Sequence, residues 1–215
     1  EAAKLATEKG ANIIDINMGC PAKKVFKKDA GSALLANPKL VESIVSKVVK
    51  ATTCPVTVKM RTGIDLEHQN ALYIADIIAS EGASAITIHG RSRACRYEVP
   101  ASYAIIKEMK KNISIPIIAN GDITDGETAM KVSRFTGADG LMIGRAAQRN
   151  PWIFQQIKSY FNGQTWIEPS EEQRLNVLFQ LVTSIHEHYG AQRGLRMARK
   201  HFSNFLKPLR FIEDK

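Results

Sequence analysis

Long apolar runs are missing from this sequence, and cysteine is scarce. No stretch approaches the roughly 20 residues that span a bilayer, and none has the apolar core of a signal peptide. Cysteine occurs three times, at 20, 54 and 95. That odd number, without metal-ligand spacing, excludes a disulfide framework and points to a reducing compartment. Acidic residues are outnumbered, with 21 Asp and Glu against 30 Lys and Arg and a net charge of +9. The balance suits an anionic partner without saying which. There is no initiating methionine, and the opening Glu1-Ala-Ala-Lys-Leu-Ala-Thr-Glu8 reads as mid-helix without a cap, as expected of a fragment. The remainder is ordinary for a soluble globular protein. Its 215 residues suffice for one good core and a small second domain.

Strand–helix alternation organises the chain. Asn12 to Ile16 predicts a buried strand, because Ile13, Ile14 and Ile16 are β-branched. Further strands are expected at 56–60, 85–88, 115–119 and 140–143. Leu40, Val41, Ile44, Val45, Val48 and Val49 recur at helical spacing after an Asn37-Pro38 cap, and later helices are expected near 69–80, 101–111 and 125–135. Gly10, Gly82 and Gly137 each close a helix just ahead of a strand. Strict alternation means a parallel sheet, either a TIM (β/α)₈ barrel or an open doubly wound sheet. Each strand leads to a polar residue: Asn17, Lys59, His89, Asn120 and Arg145. A barrel converges all its strand ends on one centre, whereas an open sheet uses mainly its switch point. The α/β barrel is therefore expected, with these as strands 4 to 8 in residues 1–162. Residues 163–215 are expected to form a helical domain. It would open on the capping box Ser170-Glu-Glu-Gln173 and hold helices to Gly190 and over about 192–206.

Several residues carry chemistry. Cys20 sits between Gly19 and Pro21 in a turn at a strand end, which displays a thiol; the alternative is a small buried hydrophobe. Lys59 is the only charge in strand 56–60 and asks for an anionic partner if it faces a barrel centre. His89 at a strand end suits a ligand contact or a satisfied structural role. Asn120-Gly121-Asp122 and Gly144-Arg145 fall where barrels bind phosphate, and Arg145 adds a charge-assisted donor. A basic run, Lys23, Lys24, Lys27 and Lys28, follows Cys20. On helix 192–206, Arg193, Arg196 and Lys200, with Lys207 beyond, share one face. Leu195, Ala198, Phe202, Phe205 and Leu206 take the other. That basic face is either a grip for nucleic acid or simply solvated.

Six motifs in order resemble the tRNA-dihydrouridine synthases, the bacterial B-type branch most closely. They are Asn17-Met-Gly-Cys-Pro21, Gly31-Ser-Ala-Leu-Leu35, Val58-Lys-Met-Arg61, His89-Gly-Arg91, Ile118-Ala-Asn-Gly-Asp122 and Met142-Ile-Gly-Arg145. The resemblance implies an FMN enzyme that reduces uridines of the tRNA D-loop to 5,6-dihydrouridine with NADPH, as a cytoplasmic monomer. It implies Cys20 as proton donor to uracil C5, with Asn17 and Arg91 on the substrate. Lys59, His89, Asn120, Gly121, Asp122, Gly144 and Arg145 would hold FMN, and Arg193, Arg196 and Lys200 would hold tRNA. The family's motifs on its first and third strands lie outside this sequence, and Val99 stands where the family usually has Gly. Two other readings remain: an FMN-dependent dihydroorotate or dihydropyrimidine dehydrogenase acting on free pyrimidines, and a non-catalytic RNA-binding barrel.

Overall fold

A computed structural model describes residues 1–95 and 98–206, without the side chains of Lys200, Ser203, Asn204 and Leu206. Five strands, β1 (Ile14–Met18), β2 (Val56–Arg61), β3 (Ala85–His89), β4 (Ile117–Asn120) and β5 (Gly140–Met142), form one parallel sheet in sequence order. Helices α3 (Pro38–Ala51), α4 (Ala71–Ser80), α5 (Ala104–Asn112) and α6 (Gly126–Thr136) fill the crossovers. A doubly wound sheet reverses its strand order at a switch point, so unbroken sequential order is the wall of a TIM-type barrel. Ahead of β1 comes α1 (Ala2–Glu8), and after it a single turn, α2 (Lys23–Phe26), and a 3₁₀ segment, Gly31–Ala36.

Strand borders differ from expectation by one or two residues, and two of the differences, in β1 and β2, matter for the site. The ladder of β1 opens only where the Ile14 N–H reaches the Pro55 carbonyl at 3.0 Å, which leaves Ile13 58% exposed and carries the strand through Asn17. Strand β2 runs on to Arg61, so Lys59 is not its only charge. Pairing is in register throughout: Asn17 lies beside Lys59, Lys59 beside Thr87, Arg61 beside His89 and His89 beside Asn120.

Since side chains alternate across a sheet, this register sorts the wall into two faces. Val56, Val58, Met60, Ile86, Ile88, Ile117 and Ala119 share one face and are at most 2% exposed. They belong to the same core as the fully buried Val41 and Val45 of α3, Ile74 and Ile78 of α4, and Ile106 and Met109 of α5. Each of the Val, Ile and Met side chains among them contributes about 1.5–3 kcal/mol on burial. The other face carries Asp15, Asn17, Thr57, Lys59, Arg61, Thr87, His89 and Asn120. At the β5 end, the Asp139 carboxylate accepts from the Ile117 N–H at 2.8 Å and from Lys110 Nζ at 2.7 Å, which pins the start of β4.

Contacts divide the chain into two compact units, Glu1–Ile123 with Thr128–Ile143, and Thr124–Glu127 with Gly144–Lys215. The division falls upstream of the border expected from composition, because α7 (Arg145–Arg149) and α8 (Ile153–Phe161) group with the helical hairpin α9 (Glu171–Tyr189) and α10 (Ala191–Leu206). Trp152, at the start of α8, meets Phe205 of α10 at 6.2 Å between ring centroids. Ser170 and Gln173 form the expected capping box. The hairpin turns at Gly190, φ 74°. It closes so tightly that a Cβ on Gly194 would lie 2.5 Å from the His186 ring. The buried line of α10 is accordingly Gly194, Ala198 and Phe205. Leu195 and Phe202, expected on that line, are 50% and 36% exposed. Among the described residues, no helix is long and apolar enough to cross a membrane.

Candidate active site

Cys20 follows the end of β1, and side chains hold the peptide groups around it. Asn17 Oδ1 accepts from the N–H groups of Gly19 at 3.0 Å and Cys20 at 3.1 Å. Arg61, 4% exposed, donates Nε to the Gly19 carbonyl at 2.8 Å and Nη1 to the Ser92 carbonyl at 2.9 Å. Ser32, fully buried, donates Oγ to the Cys20 carbonyl at 2.8 Å, and its own N–H reaches the same oxygen at 3.2 Å. Gly31, φ 60°, abuts the cysteine: a Cβ there would lie 2.9 Å from that of Cys20. Both N–H groups and both carbonyls of Gly19 and Cys20 are thus satisfied from outside the turn, which fixes where the half-buried thiol sits. The other cysteines have local occupations. Cys54 donates its thiol to the Ala11 carbonyl at 3.0 Å, and Cys95 accepts from Ser92 Oγ at 2.9 Å.

Cations gather on the polar face beside this turn. Lys59 stands next to Asn17 in register, half-buried, and its ammonium makes no hydrogen bond or close ion pair among the described residues. Its pKa is lowered first by burial and then by Arg61, against a smaller upward pull from Asp15. His89, 8% exposed, is held down to about 3 by burial and by the charges of Arg61, Lys59 and Arg91, which outweigh Asp122. At neutral pH the imidazole is uncharged. Gly121, φ 130°, packs on that ring, since a Cβ there would lie 3.2 Å from His89 Cδ2.

Other expected ligands are engaged by the fold itself. Arg91, expected on the substrate, and Asp122, expected on the cofactor, form a two-pronged pair at 2.7 Å for each bond. Arg91 Nε also donates to the Val99 carbonyl at 2.6 Å, and Asp122 accepts from the Ala101 N–H at 2.9 Å. The pair buttons the β3 loop to the β4 loop, and the Arg91 side chain is 4% exposed. Asn120 donates Nδ2 to the Met142 carbonyl at 2.8 Å, tying β4 to β5. Gly144 and Arg145 belong to the second unit, at the start of α7. Arg193 and Arg196 are exposed on α10 of that unit. The Lys200 side chain and all of Lys207 lie outside the described residues.

Sequence reading passed over Arg61, Ser32 and Asp15. Alternation carried a signal for Arg61, because it stands two residues after Lys59 and must share its face. No local pattern announces Ser32, whose partner is the carbonyl of a residue twelve positions earlier.

The fold is that of an α/β-barrel protein, and a thiol, a lysine unpaired among the described residues and a neutral imidazole stand at or near the strand ends, where barrels place their active sites. The chain belongs to the dihydrouridine synthase (Dus) family, whose model matches residues 1–212. It is 50% identical over 208 residues to tRNA-dihydrouridine synthase B of Pasteurella multocida, covering 96% of this chain and 63% of that protein. To the enzyme of the same name from Klebsiella pneumoniae it is 51% identical over 209 residues, covering 96% and 64%. The chain thus spans somewhat under two thirds of the length of these relatives. Among solved structures, morphinone reductase matches with a TM-score of 0.53 at 17% identity, over 80% of this chain and 49% of that one. That likeness is one of fold.

Proposed function

We propose that this chain carries the catalytic centre of a B-type tRNA-dihydrouridine synthase, reducing uridines of the tRNA D-loop to 5,6-dihydrouridine with FMN and NADPH, as a monomer in the cytoplasm. The observation that carries the proposal is Lys59: a half-buried ammonium without a close partner on the polar face, beside Asn17 and one strand from Thr87. An uncompensated charge in such a place calls for an anionic or electron-rich ligand, and a flavin ring with its phosphate tail supplies both. The site therefore fits FMN. Lys59 would face the ring system, and His89 and Gly121 would border it. The assignment of Asn120, Asp122, Gly144 and Arg145 to the same cofactor rests on the sequence motifs alone.

Reduced FMN, renewed by NADPH, would supply the hydride for uracil C6. Cys20 would hold the proton for C5 on Sγ, delivered from a turn whose peptide groups are hydrogen-bonded to Asn17, Arg61 and Ser32. Because Asn17 Oδ1 is already committed to two N–H groups, its Nδ2 is the end left to donate to a uracil carbonyl. The ammonium of Lys59 favours electron-rich flavin over the neutral form. Neutral His89 can accept or donate one hydrogen bond without adding charge.

Changing Cys20 tests the reading. In the purified, FMN-loaded protein, Cys20→Ala is expected to leave flavin content and reduction by NADPH nearly intact. Dihydrouridine formation in tRNA should fall by about 10²-fold or more, as for loss of a positioned general acid. Cys54→Ala, which loses the thiol contacts to the Ala11 carbonyl and Thr7 Oγ1, should change turnover little. Equal losses in the two variants would remove Cys20 from its role.

A further inference from the structure

The proposed chemistry makes no use of the basic run after the cysteine. The segment carrying it is a closed loop whose two ends meet on Cys20, through the Ser32 N–H and Oγ bonds to the Cys20 carbonyl. Between those ends stand Lys23, Lys24, Lys27 and Lys28, all exposed and none paired among the described residues. The single acid of the loop is Asp29. Four like charges within six residues repel one another, and the one-turn helix between them is too short to hold itself. The loop is braced instead from the segment after β3: the Arg93 guanidinium lies 3.7 Å over the Phe26 ring, with its Nε buried and without a hydrogen-bond partner among the described residues. A fifth cation therefore backs the four lysines.

We propose that this loop is a phosphate clamp for the RNA strand that carries the reacting nucleotide. Lysines on a short, braced loop can neutralise successive backbone phosphates without reading sequence. Because the loop is anchored on Cys20, seating the backbone also sets the distance from strand to thiol. A membrane surface would need apolar side chains next to the cations. Here Val25 lies against Gly31 and Phe26 lies under Arg93, so neither is offered.

The clamp rests on the RNA substrate proposed above, and its test separates the two ideas. Lys23, Lys24, Lys27 and Lys28 are changed together to Gln in the purified protein, and binding to one tRNA is followed by anisotropy across a salt series. The plot of log affinity against log salt should become shallower by roughly two to three, with binding at ~0.1 M salt at least about tenfold weaker. Flavin content and the rate of Cys20 alkylation by iodoacetamide, read by peptide mass, should stay as in wild type. If wild type binds tRNA and the variant keeps its slope, the clamp is wrong and the substrate reading stands. If wild type binds no tRNA, both fall. Should the quadruple variant melt early, the pairs Lys23/Lys24 and Lys27/Lys28 are changed separately. Each pair is then expected to remove about half of the slope change, and pairs that leave it intact overturn the clamp.

Discussion

His89 lies between Arg61 on one neighbouring strand and Asn120 on the other, with the Arg91 guanidinium at 3.4 Å from its Nε2. Burial and three nearby cations disfavour the second proton that would make the ring an imidazolium, which is why its pKa falls from 6.5 to about 3. A neutral ring adds no further cation to the cluster of Lys59, Arg61 and Arg91. The thermodynamic sign follows from proton counting. Between about pH 3 and 6.5 the unfolded chain binds a proton here that the folded one refuses, so this residue makes stability rise with pH across that window and flat above it. His89→Gln in the flavin-free protein should therefore narrow the loss of melting temperature between pH 7 and pH 5 relative to wild type. The ring signals of His89 in wild-type NMR spectra should not move over that range. A midpoint near 6.5 would show that the imidazole is not walled in by Arg61, Lys59 and Arg91.

Helix α10 shows how much an element's pattern tells and where it stops. Its buried line is Gly194, Ala198 and Phe205, fixed by the close approach to His186 rather than by its largest apolar residues. Leu195 and Phe202, expected on that line, are exposed. Arg193 and Arg196 are exposed as well, and helical periodicity groups Lys200 with them in the sequence. Changing these three together to Gln should make the salt dependence of tRNA binding shallower by about two to three, with melting temperature and flavin content unchanged; an unchanged slope would leave the stripe as solvated surface. Strand number, parallel order and the helix caps at Asn37 and Ser170 were legible because each depends on a few adjacent residues. Strand borders were not, since the start of β1 is decided by Pro55 and the end of β2 by a ladder to His89. The same limit explains the site. Cys20 and Lys59 announce themselves by type and place, whereas the Arg91–Asp122 pair and the Ser32 bond to Cys20 join segments that are remote in sequence.

At the scale of the whole molecule, the excess of nine positive charges is concentrated in at least two runs, the loop that begins at Cys20 and the stripe on α10. One belongs to the barrel unit and the other to the helical unit. Two uses of such runs can be told apart by energetics alone. If one tRNA is gripped by both at once, each run contributes its own phosphates to a single complex, and losses in log affinity should add when both are removed. If instead the runs are alternative sites, either one suffices. Each set of substitutions alone would then cost little, and only the combination would collapse binding. Multivalent grip also raises affinity beyond either patch, because the second engagement is intramolecular. We expect the first outcome. The variant combining all seven Lys and Arg to Gln changes should lose affinity by about the product of the separate factors, and its salt slope should be shallower than wild type by roughly four to six. Anisotropy titrations of the four proteins on one tRNA, at a shared set of salt concentrations, decide it. A collapse confined to the combined variant would mean that the barrel loop and the helical stripe never hold the same RNA together.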